Sequence, residues 1–353
     1  MAYTTIDKPT DYFNTITYTG DNTDRSFTGV GFQPDWVWVK ARNNTTWHML
    51  FDAVRGAGVE KELHSNSTQA EGASDNVAYG YINSFDTDGF STIDGTSSSD
   101  ALNESGRTYV AWNWLAGGSA SSNSNGSITS SVSANTTAGF SIVSYTGTGS
   151  ASTVGHGLGA VPKMIIIKSR NTTSLWGVYH QAIGNTHGLF LNATNAATSL
   201  SAYWNNTSPT SSVFSVGSDA DINKSGDPLI AYCFAEKKGY SKFGSYDGNG
   251  NADGPFIHTG FKPAWLMIKG YAGTDDWIMM DNKRSGFNSE NEYLDANNNS
   301  TESDGSGNID FLSNGFKIKS TFSSLNYSTG EYIYMAFAES PFVNSNGVPN
   351  NAR

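Results

Sequence analysis

The sequence has one cysteine and no long apolar segment, and each shortage excludes a class of protein. With only Cys233 among 353 residues, no disulfide can form within the chain. The aromatic neighbours of Cys233 predict a buried, inert thiol. No apolar run approaches the roughly 20 residues of a membrane helix, and the first residues show no charged segment followed by an apolar one. We therefore expect neither membrane insertion nor a secretory signal.

Positive charge is also scarce. The chain carries 21 Lys and Arg against 32 Asp and Glu, a net charge of −11 at pH 7. A surface of this sign repels phosphate backbones, and no basic stripe offsets it. We expect no nucleic-acid partner.

The polarity of the chain comes from uncharged residues. Charged residues make up only 15% of the sequence, whereas aromatic residues reach 13%. Ser, Thr, Asn and Gly fill much of the remainder, which favours short strands and turns over long helices. The composition predicts an all-β protein.

One block of sequence occurs three times. Each copy has a Tyr-x-Gly turn, a glycine-rich loop, a proline, an apolar strand that ends in lysine, and a following tryptophan. Repetition at this period predicts an array of similar units. We expect matched positions to maintain the fold and unmatched positions to contact partners. The matched positions are Tyr18, Tyr145 and Tyr246; Pro34, Pro162 and Pro263; Lys40, Lys168 and Lys269; Trp47, Trp176 and Trp277.

The alternating strands within each copy predict three tandem antiparallel β-sandwich modules, jelly-roll-like and about 100 residues each. Residues 85–90 and 311–316 are predicted hairpins, and each proline is expected to open a strand without breaking a ladder. The expected divisions are an N-terminal arm (1–12), a first module (13–117), a linker rich in Gly, Ser and Asn (118–138), a second module (139–238), a third module (239–342) and a flexible tail (343–353).

No motif for catalysis or for a metal stands out. Residues 247–253 alternate oxygen-bearing side chains as a calcium loop does, but the pattern departs from such loops and a polar hairpin loop is favoured. Glu236 and Glu339 match between copies, and nothing in their spacing brings two carboxylates into one cleft. His180 stands where the other copies have Asp52 and Asp281 and is interpreted as a polar residue at a strand end. We expect no catalytic residues, no metal and no cofactor.

Three unmatched segments combine aromatic rings with amide or carboxylate groups. Such groups can stack on a sugar ring and hydrogen-bond its hydroxyls. The alternative for each segment is that the rings fold onto their own sandwich. The predicted ligand-binding residues are Tyr203, Trp204 and Asn205; Tyr271, Asp275 and Asp276; Tyr79 and Tyr81.

Several segments resemble a repeat domain that is widespread in virion proteins of marine bacteriophages, including those of cyanobacteria. The resemblance covers nearly the whole chain and implies a phage structural protein, commonly a tail fibre or another component of the particle surface. It carries no motif of catalytic residues. The segments are Ala2-Tyr-Thr-Thr-Ile-Asp-Lys-Pro9, Gly31-Phe-Gln-Pro-Asp-Trp-Val-Trp-Val-Lys40, Ala111-Trp-Asn-Trp-Leu-Ala-Gly-Gly118, Thr153-Val-Gly-His-Gly-Leu-Gly159, Ala252-Asp-Gly-Pro-Phe256 and Ile309-Asp-Phe-Leu-Ser-Asn-Gly-Phe-Lys317.

On this resemblance we expect a protein of the virion surface, assembled in the host cytoplasm with other virion proteins. We expect it to bind a host surface glycan or receptor, with polysaccharide favoured, through loops of the sandwiches. A homo-oligomer is expected, with a trimer favoured, because weak sugar contacts gain from avidity. The alternatives are a capsid decoration or fibre-anchoring protein and, third, a polysaccharide depolymerase.

Overall fold

The computed structural model describes residues 4–74, 76–97, 101–305 and 307–343. Its regular structure is almost entirely antiparallel strand, so the all-β prediction is confirmed. The described residues hold four helices of a single turn and one 3₁₀ turn: α1 Asn76–Tyr79, α2 Ser201–Trp204, α3 Ala220–Asn223, α4 Ser323–Asn326 and the turn Pro9–Asp11.

The first part of the chain (13–117) forms a four-stranded sheet and a three-stranded sheet that pack face to face. Their orders are β1-β7-β3-β4 and β2-β6-β5. Aromatic and aliphatic residues from both sheets form one buried cluster, as in a β-sandwich. The strands are β1 Phe13–Thr19, β2 Arg25–Phe27, β3 Trp36–Ala41, β4 Met49–Asp52, β5 Tyr81–Asp86, β6 Gly89–Ile93 and β7 Thr108–Trp114.

The middle part (118–238) forms an eight-stranded sheet and a two-stranded sheet. The larger sheet has the order β15-β14-β13-β12-β17-β10-β9-β8, and the smaller sheet pairs β11 with β16. The strands are β8 Ser121–Asn123, β9 Ser130–Asn135, β10 Phe140–Thr146, β11 Ser152–Gly155, β12 Met164–Ser169, β13 Gly177–His180, β14 His187–Phe190, β15 Thr198–Ser199, β16 Val213–Val216 and β17 Pro228–Phe234.

The last part (239–342) forms a five-stranded sheet, β18-β25-β20-β21-β22, and a three-stranded sheet, β19-β24-β23. The strands are β18 Ser241–Asp247, β19 Phe256–His258, β20 Phe261–Gly270, β21 Trp277–Asp281, β22 Leu294–Asp295, β23 Ile309–Leu312, β24 Gly315–Ile318 and β25 Glu331–Pro341.

The same order of four strands recurs in all three parts: β1-β7-β3-β4, β10-β17-β12-β13 and β18-β25-β20-β21. The register recurs as well, because Lys40 lies opposite Val110, Lys168 opposite Ile230 and Lys269 opposite Ile333. The shared pairing defines which residues of the three parts are equivalent.

Each of the three repeated tyrosines makes the same hydrogen bond. The hydroxyls of Tyr18, Tyr145 and Tyr246 donate to the carbonyls of Leu102, Ile222 and Leu325 at 2.7, 2.6 and 2.8 Å. An asparagine with no exposed surface follows each carbonyl residue, and its amide ties down the loop after the tyrosine strand. In the last part this loop is the segment with calcium-like spacing, and the buried asparagine, Asn326, donates to Asn249 Oδ1 and to the carbonyl of Asn251.

The main sheets are buried on both faces. One face of each packs on the smaller sheet of its own part. The other faces meet in a single cluster, the shared core, which takes residues from all three parts. At its centre the equivalent residues Trp114, Phe234 and Phe337 lie close together, with ring centroids of Phe337 5.9 and 6.2 Å from those of the other two. The three main sheets therefore surround one aromatic core, although the sequence predicts separate sandwiches.

Neighbouring parts also meet through backbone hydrogen bonds that run around this core. Glu302 N donates to Arg42 O at 2.7 Å, and Glu71 N donates to Arg170 O at 2.8 Å. Ala197 N completes the set by donating to the carbonyl of Tyr271 at 2.8 Å. Each part thus contacts both of the others, and the contacts close a ring.

The repeated lysines are buried near these contacts. Lys168 Nζ donates to Thr68 O at 3.1 Å and Lys269 Nζ to Thr194 O at 3.0 Å, both in the neighbouring part. Burial lowers the pKa of these two lysines to about 8. In these two parts the ammonium group of the matched lysine therefore donates hydrogen bonds to carbonyl oxygens at the end of its strand.

Two divisions predicted from the sequence are changed by the structure. The predicted linker, 118–138, contains β8 and β9, which extend the sheet of the middle part. The predicted arm, 1–12, packs onto the protein from residue 4 onward, with Ile6 buried in the shared core and the ring of Tyr12 6.0 Å from Tyr240. Of the predicted tail, 344–353 lies outside the described residues.

Both predicted hairpins are confirmed, with Phe85 opposite Phe90 and Phe311 opposite Phe316. The prolines stand at strand starts, as expected. Pro34 and Pro162 precede β3 and β12, and Pro263 lies at an irregularity near the start of β20. A missing N–H is tolerated at a strand start or at an irregularity, because no regular ladder hydrogen bond is required there.

Candidate functional site

The segment predicted as the main stacking platform lies in the interior. Tyr203 and Trp204, on α2, are 1% and 2% exposed and belong to the core of the middle part. The Tyr203 hydroxyl donates to Asp221, and the ring of Trp204 packs edge-on against Tyr179. The prediction that these two rings stack on a ligand is wrong, because no ligand can reach them. Asn205 beside them is exposed.

The second predicted segment supports a contact between parts. Tyr271 accepts the hydrogen bond from the middle part described above, and Asp276 accepts from Asn297 Nδ2 at 2.6 Å. Asp275 is partly buried and lines a concavity of about 390 Å³ together with Tyr327. Its role in binding stays a prediction.

The third predicted segment reaches a cavity. Tyr79 ends α1, is 38% exposed and lines a cavity of about 370 Å³. Tyr81 begins β5 and packs on the core of the first part. Of the eight predicted residues, Tyr79 is the one whose ring stands at a concave surface beside a second aromatic side chain.

That second side chain is Trp47, and its position corrects the alignment of the three copies. Strand pairing makes Asp52, His180 and Asp281 equivalent. They lie opposite Trp36, Met164 and Trp265, and each of these stands four residues before the matched lysine. Four residues before them stand His48, Trp176 and Trp277. Trp47 is therefore one residue out of register with the other two tryptophans.

The residues at the true matched position all bridge two parts of the chain. The indole N–H of Trp176 donates to His64 O and that of Trp277 to Phe190 O, both at 2.9 Å. His48 Nε2 lies 3.0 Å from the carbonyl of Asp295 and must donate to it, since a carbonyl only accepts. His48 thus takes the role of the indole N–H and leaves Trp47 without a bridging role.

Trp47 is half-buried and faces the cavity. Its ring meets the ring of His64 edge to face, with centroids 4.8 Å apart and planes at 66°. The described residues that line the cavity are Asn44, Thr45, Thr46, Trp47, Met49, His64, Ser74, Tyr79 and Ala101.

His64 forms a fixed, neutral part of the cavity wall. Its Nδ1 lies 2.8 Å from the carbonyl of His48, so Nδ1 carries the proton, and Nε2 accepts from the hydroxyl of Ser74. Burial lowers the pKa of His64 to about 4. The imidazole is therefore uncharged at neutral pH.

The loop that carries Trp47 is anchored by hydrogen bonds from a buried lysine. Lys40 is fully buried, and its Nζ donates to Ala41 O at 2.7 Å and to Asn44 O at 3.1 Å. Thr46 on the same loop is 7% exposed, and its Oγ1 has no hydrogen-bond partner among the described residues. A buried hydroxyl without a partner is unfavourable unless water or a ligand satisfies it.

Sequence comparison with family profiles gives one match. Residues 8–341 match a domain of unknown function, DUF7483. The chain belongs to this family. Searches of the curated proteins and of the solved structures found no match.

The described residues contain no group of three or more His, Cys, Asp or Glu side chains placed to hold a metal ion. Cys233 is fully buried as predicted, and burial raises the pKa of its thiol. None of the helices in the described ranges has the length and apolarity to cross a membrane.

Matching the three tryptophans by residue type hides the role of Trp47, because Trp47 stands seven residues after Lys40 whereas Trp176 and Trp277 stand eight residues after Lys168 and Lys269. The better signal was the matched trio Asp52, His180 and Asp281, from which counting back four residues finds His48. Loop residues such as Thr46 and Ser74 have no sequence signal, because folding alone brings them together.

Proposed function

We propose that this protein is a component of a phage particle surface that binds the host envelope, with polysaccharide as the ligand and the Trp47 cavity as the binding site. The observation that supports this function is that Trp47 and Tyr79 line one cavity of about 370 Å³ together with polar side chains. Small-molecule sites are concave, about 300–1,000 Å³ in volume, and combine apolar walls with a few polar groups. The resemblance to phage virion repeats supports the particle-surface location.

The site belongs to one part of the chain. The positions equivalent to Trp47 are Leu175 and Asp276, counted from the same paired strands, so the middle and last parts lack this ring. A single weak sugar site per chain gains affinity when several chains share a particle. We propose that the protein acts in several copies, attached to other virion proteins.

The experiment is binding of the purified full chain to envelope polysaccharide extracted from a marine cyanobacterial host, measured by co-sedimentation. The wild type is expected to sediment with the polysaccharide. Trp47→Leu, which installs the residue of the middle part, is expected to stay in solution. Equal sedimentation of both proteins would contradict the assignment of the site.

A second candidate function is a capsid decoration or fibre-anchoring protein. The shared core favours it, because three sheets closed around one cluster form a rigid block with no shaft segment among the described residues. Antibody labelling of intact particles distinguishes the two functions. Label on the capsid shell supports the structural role, and label on the tail supports host binding.

A further inference from the structure

The side chains around the Trp47 cavity restrict the kind of sugar that the cavity can hold. None of its described lining residues is Asp, Glu, Lys or Arg, and the buried imidazole of His64 is uncharged, with Nδ1 donating to His48 O and Nε2 accepting from the Ser74 hydroxyl. A charged ligand needs an opposite charge or a dense set of hydrogen bonds when it leaves water. The described wall offers no charge with which to pair one.

The polar groups in the wall are hydroxyls and an amide. Thr45, Ser74 and Tyr79 provide hydroxyls, and Asn44 provides an amide, all on side chains with exposed surface. Such groups both donate and accept hydrogen bonds, as sugar hydroxyls do. The Oγ1 of Thr46, which has no hydrogen-bond partner among the described residues, is a further polar atom of this loop.

The apolar groups form the other half of the wall. Trp47 presents an aromatic ring, and Met49 and Ala101 are buried beside it. A pyranose has one face of C–H groups and a rim of hydroxyls, so it presents to such a wall both an apolar and a polar surface. The volume lies near the lower end of the range for small-molecule sites, which suits one or two sugar rings.

The net charge of the whole chain acts in the same direction for acidic sugars only, and the rejection of amino sugars rests on the uncharged wall. With a net charge of −11, the protein repels uronate-rich or sulfated polymers at long range. We propose that the cavity binds an uncharged sugar residue of a glycan and rejects acidic and amino sugars. This inference rests on the function proposed above and narrows its ligand class.

The test is a glycan-binding experiment with four sets of probes. Immobilised wild-type protein is exposed to neutral oligosaccharides of glucose, galactose, mannose, fucose and N-acetylglucosamine, to oligogalacturonates, to sulfated galactans and to chitosan oligomers. Binders are then measured by titration calorimetry at low and high salt. Binding to at least one neutral set, with affinity independent of salt, is the expected result.

The variants locate the site. Trp47→Leu and Tyr79→Ala are each expected to weaken neutral-sugar binding at least roughly tenfold, the loss typical of a central aromatic contact. Trp47→Phe keeps a ring and is expected to retain most of the affinity. Phe287→Ala is the matched control, because Phe287 is 80% exposed and does not line the cavity. Thermal melting of every variant reports whether it is folded.

Each result decides a different point. Acidic or amino sugars that bind and are lost with Trp47→Leu overturn the neutral-ligand inference but keep the proposed function. Neutral sugars that bind equally well to folded Trp47→Leu and Tyr79→Ala overturn the cavity as the site. Failure of every probe and of extracted envelope polysaccharide overturns the proposed function itself.

Discussion

Residues 40–52 and 168–180 have similar sequences and fold into equivalent strands and loops, yet one tryptophan faces a cavity and the other bridges two parts of the chain. In the middle part Trp176 is fully buried and its indole N–H donates to carbonyls of the first part. In the first part His48 makes the corresponding contact, and Trp47 turns to the cavity. Trp47 and His48 lie directly before β4, where the chain enters a strand. Successive side chains of a strand point to opposite faces, and the two neighbouring residues here have opposite roles.

A second difference accompanies the first. Asp52 and Asp281 are buried beside Arg55 and Arg284, whereas His180 has Ile183 at the equivalent position. A buried carboxylate needs a counter-charge and a neutral imidazole does not. The middle part therefore has uncharged groups at both positions of the pair.

The largest expected effect is a difference in unfolding free energy between variants of Trp176 and Trp47. Trp176→Ala leaves a cavity in the shared core and removes the donor to two carbonyls, and we expect a loss of about 3–5 kcal/mol in the free energy of unfolding. Trp47→Ala removes a half-buried ring and is expected to cost about 1 kcal/mol. Denaturant unfolding measures both. Equal losses would mean that Trp47 is also a core residue.

A loss of similar size is expected at the buried ion pair. Arg284→Met leaves Asp281 without its counter-charge, and breaking a buried pair in this way costs about 3–5 kcal/mol. Its control is Ile183→Met in the middle part, where no charge is involved and a volume-conserving change costs less than about 1.5 kcal/mol. Similar melting temperatures for the two variants would contradict the role assigned to Arg284.

The third prediction concerns pH. His180 donates from Nε2 to Tyr334 O and accepts from Ala182 N, and burial lowers its pKa to about 4. Because the unfolded side chain titrates near 6.5, the unfolded state binds more protons between these values. The contribution of neutral His180 to stability is therefore full above about pH 6.5 and is lost as the pH falls towards 4.

The measurement is the difference in unfolding free energy between wild type and His180→Asn at pH 7 and pH 4.5. We expect the variant to be less stable at pH 7 and the difference to shrink by up to about 3 kcal/mol at pH 4.5. The comparison with wild type is needed because burial raises the pKa of Glu290 to about 7 and that of Asp295 to about 6. These two carboxyls contribute the opposite slope, and they cancel in the difference. A difference that does not change with pH would exclude His180 as a titrating group.

The smallest expected effect on stability belongs to Trp47→Leu, which copies Leu175. We expect a change within about 1 kcal/mol in unfolding free energy, together with the loss of sugar binding described above. Thermal melting and calorimetric titration of the same sample measure the two quantities. A large fall in melting temperature with unchanged sugar binding would mean that Trp47 is a core residue and not a binding residue.

The sequence alone determined the fold class, the recurring order of residues and the roles of many matched positions. Composition and alternation predicted an all-β chain, the hairpin at 85–90 was read from its turn, and the prolines were correctly placed at strand starts. These features depend on local backbone preference and on period-two patterning, which neighbouring residues set by themselves. The repeated Tyr18 was recognised as structural, although its partner Leu102 could not be named.

Only the tertiary structure decided how the strands share their surfaces. A strand buried on both faces and a strand buried on one face can both carry aromatic residues, so the sequence did not reveal the shared core around Trp114. For the same reason, the sequence did not show that Tyr203 and Trp204 lie in the interior or that Trp47 lines a cavity. Whether an aromatic ring faces solvent, a cavity or another sheet depends on contacts between distant segments, and those contacts exist only after the chain has folded.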